Sequence, residues 1–193
     1  MKKFILLGAA IFFVLPLWAQ FTAKMFFSGM GKDHAFTVFS SEENYRYEFN
    51  EDGQAGVIIA KTGSSEIVIL MPQQKMAMKA SAGDPMSMGN DPVKAYEYYL
   101  ESGLMKEEGV EMVNGVQCTK STLWNKENTE QKMYTVWLSD KYKFPVKLIN
   151  HMDGSTGDAI MELKDIKAWT PDANSFEIPP GYQLMEMPGM NAF

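Results

Sequence analysis

Apolar and polar residues alternate with a period of two along most of the chain. In residues 45–49 the aromatic residues alternate with charged ones, and a turn signal follows at residues 50–53. A short apolar run follows in residues 66–71, and after a turn the two methionines of residues 75–79 fall on one face of a further strand. This period predicts β-strands, because successive side chains of a strand point to opposite faces of the sheet.

One segment near the middle of the chain has a helical pattern instead. Asp91 suits an N-cap and Pro92 suits the first helical position, so we predict a helix over residues 93–102 that stops at Gly103. Residues 22–31 fit either a strand or a helix. Three residues at helical spacing would form the buried face of the predicted helix: Tyr96, Tyr99 and Leu100.

Strand-like alternation resumes after this helix. It occupies residues 116–124, 132–138, 144–149 and 158–169, with a hairpin signal at residues 153–157. The whole pattern amounts to about nine or ten strands in a sequential meander, with one helix between them. It predicts a mainly β fold with minor α: a curled antiparallel sheet, or half-barrel, whose concave face is covered by one or two helices.

A curled sheet that is too large to fill its own interior leaves a cavity. One face of each strand would line that cavity, although the alternation alone does not tell which face is inside. Aromatic and methionine side chains on the inner face would serve both as core and as lining. We predict nine cavity-lining residues: Tyr45, Tyr47, Phe49, Ile67, Ile69, Met71, Met76, Met78 and Val136.

The N-terminal residues have the layout of an export signal. Two lysines precede an apolar run over residues 4–18. A bilayer requires roughly 20 apolar residues, so this run is short for a membrane anchor. We predict a cleaved signal peptide over residues 1–19, a cut between Ala19 and Gln20, and a single domain over residues 20–193. The mature protein would be periplasmic or otherwise exported, without a transmembrane segment.

The composition of the chain argues against several classes of function. The net charge of −6 argues against nucleic acid as a partner, because phosphates attract basic surfaces. A single cysteine, Cys118, excludes an internal disulfide and a cysteine-based zinc cage, and we expect it to be buried. His34 and His151 lie far apart in sequence, and no nucleophile elbow, metalloprotease motif or phosphate-binding loop occurs. We therefore expect neither an enzyme nor a cofactor or a metal site.

Methionine is unusually frequent, with 16 among 193 residues. Several occur in Met-x-Met pairs, at residues 76–78, 86–88 and 185–187. Thioethers are soft ligands that select Cu(I), but methionine also makes an adaptable apolar lining. We favour the lining, because no cluster of histidine or aspartate accompanies the pairs. A copper-binding exported protein is kept as an alternative.

Several segments resemble the LolA/LolB-like superfamily of periplasmic lipoprotein carriers, and most of all its uncharacterised single-domain exported relatives. These segments are residues 45–49 with the Asp52–Gly53 turn, residues 134–147, the Asp153–Gly154 hairpin and residues 176–182. The resemblance covers most of residues 22–185 and implies a half-barrel with an apolar cavity for acyl chains. It also implies a lid held closed by an arginine beside a proline. Residues 39–45 lack that pair, and Arg46 matches a later arginine.

Together these features predict an exported envelope protein that binds an apolar ligand between sheet and helix. The ligand or partner would be a lipid, an acyl chain or an acylated protein. The first alternative is a protein–protein interaction module of the envelope with a filled core, and the second is the copper-binding protein. The size and polarity of the space between the sheet and the helix distinguish the first two.

Overall fold

The computed structural model describes residues 20–29, 32–41, 43–51, 53–81, 91–151 and 158–186. In these residues one helix, α1 (Pro92–Leu100), accompanies a single sheet, which confirms the prediction of a mainly β fold. The sheet comprises β1 (Phe21–Gly29), β2 (Lys32–Ser41), β3 (Asn44–Glu51), β4 (Gln54–Lys61), β5 (Glu66–Met71), β6 (Met76–Ser81), β7 (Gly103–Val113), β8 (Val116–Asn125), β9 (Lys132–Ser139), β10 (Pro145–Asn150), β11 (Ala159–Ala168) and β12 (Gln183–Glu186).

Some sequence-based predictions fall outside the described residues. They concern the signal peptide over residues 1–19, the hairpin signal at residues 153–157 and three of the paired methionines, Met86, Met88 and Met187. These remain predictions.

Two antiparallel meanders make up the sheet. Its strand order is β12-β6-β5-β4-β3-β2-β1-β11-β10-β9-β8-β7, so β1–β6 and β7–β11 each follow the chain order. The pairing of β1 with β11 joins the two meanders, and β12 adds to β6 in a parallel orientation. The described part of the sheet is open, with β12 and β7 at its edges. The predicted sequential meander is therefore correct within each half, whereas the join between the halves is long-range.

The sheet bends so that one of its faces turns inward. Phe144, which precedes β10, contacts Tyr45 of β3 with ring centroids 5.4 Å apart. Four strand spacings separate β3 from β10, which would be about 19 Å in a flat sheet. Side chains cannot span that distance, so the strands between them must curve. We call the face that carries Tyr45 the inner face and the opposite one the outer face.

The main core lies on the inner face, and α1 packs into it. Val93 and Tyr96 of the helix join a buried cluster that includes Tyr47 and Leu163. Asp91 caps the helix as predicted, accepting hydrogen bonds from the backbone N–H groups of residues 93 and 94. The helix ends at residue 100, earlier than predicted, because Gly103 already begins a strand.

Four strands were missed or left open by the sequence analysis, and β2 (Lys32–Ser41) is one that it did not predict. β7 was missed because charged residues obscure its alternation and because a bulge between Glu107 and Gly109 shifts its phase. Gly109 has a φ of +131° at that bulge, a conformation that favours glycine. β12 was expected only as an extended tail. Residues 22–31, which fitted a strand or a helix, belong mainly to β1.

The C-terminal segment covers part of the outer face before it forms β12. A second apolar cluster of Ile59, Leu70 and Ala77 lies there, and Phe176, Ile178 and Tyr182 pack against it. Trp169 connects this segment to β2, with its ring 5.1 Å from Phe39 and 6.0 Å from Phe176. The sheet is therefore apolar on both faces in this half, and the chain end shields the outer one.

We predict that Phe176→Ala lowers the free energy of unfolding by about 2 kcal/mol, because it removes apolar contacts from the outer cluster and leaves a cavity. Urea unfolding measures the change. Leu184→Ala is the control: Leu184 is 47% exposed, so its truncation should change stability by less than about 0.5 kcal/mol. A loss of less than about 0.5 kcal/mol for Phe176→Ala would show that this contact does not stabilise the sheet.

Candidate functional site

The nine residues predicted to line a cavity all lie on the inner face. Tyr47 pairs with Ile58, Ile58 with Ile69, and Ile69 with Met78, so their side chains share one side of the sheet. Val136, in the other meander, pairs with Leu148 on the same side. The structure thus places all nine residues on one face of the sheet. The sequence alone could assign them to a common face only within each strand. Contact with a ligand stays a prediction.

Burial divides these nine residues into two groups. Tyr45, Tyr47, Ile67 and Val136 are at most 2% exposed and form part of the core. The other five are only partly buried: Phe49, Ile69, Met71, Met76 and Met78. We call these five residues the apolar patch. In the conformation described, the apolar patch is the part of the predicted lining that a ligand can reach.

The apolar patch has an aromatic side and a methionine side. The ring of Phe49 lies over Gly56, where an added Cβ would come within 2.1 Å of the ring, and it meets Phe36 edge-on at 5.8 Å. At the other side Met71 pairs with Met76 across the β5–β6 hairpin. Methionine side chains are unbranched and adapt to irregular partners. The patch therefore offers one rigid and one adaptable apolar border.

Tyrosine rings occupy the space between α1 and the sheet. Tyr96 packs edge-on against Tyr134 at 5.7 Å, and Tyr99 lies 5.9 Å from the same ring. Leu100, the third residue of the predicted helix face, also packs against the main core. Burial raises the pKa of Tyr96 to about 12. All three residues of the predicted helix face therefore pack against side chains of the protein in this conformation.

A buried carboxylate fixes the start of α1 to the sheet. The hydroxyl of Tyr45 donates to Asp91 Oδ2 at 3.0 Å, and the hydroxyl of Tyr47 donates to Oδ1 at 3.3 Å. The N–H groups of Val93 and Lys94 donate to Oδ1 at 3.0 and 3.1 Å. Sequence reasoning identified the cap but missed the tyrosines, which precede Asp91 by 46 and 44 residues.

Lys94 adds a second polar attachment beside the first. Its side chain is 1% exposed and forms an ion pair with Glu97 at 2.5 Å. Its Nζ also donates to the carbonyl of Lys61 at 2.6 Å and lies 5.8 Å from the centre of the Tyr45 ring. The first turn of α1 is thus tied to the ends of β3 and β4.

The electrostatics of this polar cluster follow from its burial. Burial raises the pKa of Asp91 to about 6, against the opposing effect of its hydrogen bonds and of the Lys94 charge. Burial and the nearby Asp91 carboxylate raise the pKa values of Tyr45 and Tyr47 well above the ordinary range. Both hydroxyls therefore keep their protons at neutral pH and remain donors to Asp91.

Arg46 does not take part in holding the helix. It lies on the outer face, where it pairs with Glu48, donates to the carbonyl of Ser175 at 2.7 Å and covers the Phe39 ring. The resemblance to lipoprotein carriers implied an arginine that holds a lid closed. In this chain the tie between helix and sheet is made by Asp91 and its tyrosines instead.

The structure also shows the surroundings of Cys118 and His151, two residues considered in the sequence analysis. Cys118 is fully buried, as expected, and burial raises its pKa to about 11. His151 lies in a hydrogen-bonded chain, 2.9 Å from the hydroxyl of Thr135 and 3.1 Å from a carboxylate oxygen of Asp158. The Thr135 residue at the end of this chain is only 5% exposed. These contacts connect β9 to the residue that follows β10 and to the residue that precedes β11.

Comparisons with known proteins identify solved structures of similar fold. Residues 133–182 match a family described as a domain of unknown function, DUF4412. The chain resembles the solved structure of an uncharacterized conserved protein from Thermus thermophilus, with 10% identity over 89% of this chain and 93% of that one and a TM-score of 0.57. The Pseudomonas aeruginosa MucA/MucB complex matches with 12% identity over 84% of this chain and 56% of that one, at a TM-score of 0.50. No curated protein matches.

The superfamily predicted from the sequence is found among the structural neighbours. A LolA superfamily protein from Nitrosomonas europaea matches with 10% identity over 83% of this chain and 90% of that one, at a TM-score of 0.45. The predicted superfamily thus occurs among the proteins of similar structure, and the comparison of fold rests on the two higher-scoring structures. Within the described parts of the chain, no helix combines the length and the apolar character that crossing a bilayer requires.

We predict that Asp91 makes the folded protein less stable as pH rises from about 4 to about 6, by at most about 3 kcal/mol. Its pKa in the folded state, about 6, exceeds the ordinary value, so the native protein retains this proton longer than the unfolded chain. The contribution is full below the unfolded pKa and is lost as pH rises through the folded one.

Asp91→Asn should remove this part of the pH dependence, since an amide does not titrate but still caps the helix. Urea unfolding at a series of pH values measures it as the difference between the two proteins. Asp33→Asn, at an exposed carboxylate, is the control and should leave the wild-type pH dependence intact. Parallel curves for wild type and Asp91→Asn would contradict the raised pKa.

Proposed function

We propose that this is an exported envelope protein that binds an apolar ligand on the apolar patch, without catalysis. The ligand class is a lipid, an acyl chain or the acyl group of a lipoprotein. The observation that carries the proposal is the apolar patch itself: five partly buried apolar side chains on three strands, continuous with the core. A group of apolar side chains that stays partly exposed at one place on a folded protein is typical of a binding site.

Binding in this proposal is passive and its free energy comes from burial. Each Å² of apolar surface that ligand and patch remove from water contributes about 25 cal/mol. The adaptable methionine border suits a flexible chain better than it suits a ligand of fixed shape. The resemblance to lipoprotein carriers supports the same class of ligand.

The helix acts as a cover in this proposal, on the concave side of the bent sheet. Its first turn is fixed by Asp91 and Lys94, whereas Tyr98, near its end, is 53% exposed. A ligand that enters between α1 and the sheet would have to displace Tyr96 and Tyr99 from Tyr134. The polar attachment at the first turn would then serve as the pivot.

We predict that Met76→Glu weakens binding of a fluorescent fatty acid at least about tenfold, because it places a charge where apolar contact is needed. Fluorescence titration of the purified protein measures the affinity. Lys79→Glu is the matched control: it adds the same side chain to the same strand, but its pairing with Val68 places it on the outer face. This control should bind like the wild type.

Native mass spectrometry of the protein purified from cell envelopes provides an independent measurement. We expect a co-purified lipid on the wild type and less of it on Met76→Glu. If Met76→Glu binds the fluorescent fatty acid as tightly as the wild type does, the ligand lies elsewhere on the protein. Absence of both lipid and probe binding would exclude the proposed ligand class.

A protein–protein interaction module is the second candidate, because tyrosine rings lie between helix and sheet and edge strand β7 exposes apolar side chains. Val110 and Met112 are 59% and 66% exposed, and Leu104 and Met105 are about half exposed. An unpaired strand edge with apolar side chains is a common template for a partner. MucB, whose fold is similar, is found in a complex with MucA. A module of this kind would bind no acyl probe, so the titration above separates the two candidates.

A further inference from the structure

Four methionines from three adjacent strands meet at one corner of the inner face. Met71 of β5 pairs with Met76 of β6, and Met78 of β6 pairs with Met185 of β12. Paired residues of a sheet point their side chains to the same side, and Met76 and Met78 are two apart, so all four share that side. We call them the methionine quartet.

The quartet is compact enough for its sulfur atoms to converge. Neighbouring strands lie about 4.8 Å apart, and residues i and i+2 lie about 7 Å apart along a strand. The four Cα atoms therefore occupy a rectangle of about 10 by 7 Å. A methionine side chain has three rotatable bonds, which let its sulfur move over much of that area.

The side chains of the quartet are partly exposed to solvent. Met71, Met76 and Met78 are partly buried, and Met185 is 39% exposed at the sheet edge. Other methionines differ from these: Met25 and Met161 are fully buried in the main core. An ion from solution could thus reach the quartet and lose part of its hydration there.

We infer that the methionine quartet binds a soft monovalent cation of the Cu(I) class. Thioethers are neutral, polarizable ligands that select Cu(I) over harder ions. Among the described residues, no group of three or more histidine, cysteine, aspartate or glutamate side chains could hold a metal ion. The sulfur atoms of the quartet would therefore be the ligands, and Cu(I) would stay in one oxidation state throughout.

This inference is independent of the proposed lipid binding, although three of the four methionines also belong to the apolar patch. A leucine has nearly the volume and hydrophobicity of methionine but no sulfur, so Met→Leu substitutions keep the apolar surface and remove the ligands. Met78→Leu with Met185→Leu should therefore weaken metal binding without removing the apolar surface.

Silver(I) titration of the purified protein labelled with ¹³C at the methionine methyl groups tests the inference. Silver(I) shares the charge and softness of Cu(I) and does not change oxidation state. We expect the methyl resonances of the quartet, assigned by single Met→Leu substitutions, to shift together and saturate at one ion per protein. The methyl groups of Met105 and Met112, which are 49% and 66% exposed on β7, should not shift.

Cu(I) affinity, measured without oxygen against a chelating dye, gives the second readout. The double variant Met78→Leu/Met185→Leu should bind at least about tenfold more weakly. The control Met105→Leu/Met112→Leu should bind like the wild type. Because thioethers need not lose a proton, affinity should be the same at about pH 5 and about pH 7, unlike that of a histidine or cysteine site.

Three results would overturn the inference. If Met105 and Met112 shift at the same silver concentration as the quartet, silver binds any exposed thioether. If the quartet variant keeps its Cu(I) affinity, or if affinity falls with acid, the ligands lie elsewhere. Urea unfolding of each variant verifies its fold, and the wild-type methyl spectra test the site without any substitution.

Discussion

The pairing of β1 with β11 is the interaction on which the rest of the structure depends. It runs from Phe21 opposite Ala168 to Ser28 opposite Ile160 and joins two meanders from opposite ends of the chain. Each meander alone would expose an apolar face. Joined and bent, they enclose one core that includes Met25 of β1 and Leu163 of β11, which pair with each other. β6 and β7 lie far apart in the strand order, and α1, which lies between them in the sequence, packs into the core on the inner face.

Tyr45 shows how closely the bend and the helix position depend on each other. Its ring contacts Phe144 from the far side of the bend, its hydroxyl donates to Asp91, and its face lies beside the Lys94 ammonium. Burying a carboxylate costs free energy, and its hydrogen bonds offset that cost only in one helix position. The polar cluster therefore contributes less to overall stability than to fixing where the helix begins.

Features set by neighbouring residues could be predicted from the sequence. The Asp91–Pro92 cap, the three-residue helix face and the grouping of side chains within each strand all follow from local spacing. Features that depend on distant partners could not: the β1–β11 join, the tyrosines that bind Asp91, and the position of β12 beside β6. β7 is an intermediate case. Its bulge at Glu108 interrupts the two-residue alternation of side chains that would otherwise have predicted the strand.

The distribution of aliphatic residues on the inner face argues that its methionines are not simply strand formers. β-branched residues such as Ile58 and Ile67 occupy the buried part of the face, where stiff side chains pack well on a pleated surface. Methionine has no such advantage in a strand, yet it is the residue found at the partly exposed corner formed by β5, β6 and β12. What methionine supplies there is a flexible side chain and a soft sulfur atom. The first property suits an acyl chain and the second suits a soft cation, and replacement by leucine removes the sulfur while it keeps an apolar side chain of similar volume.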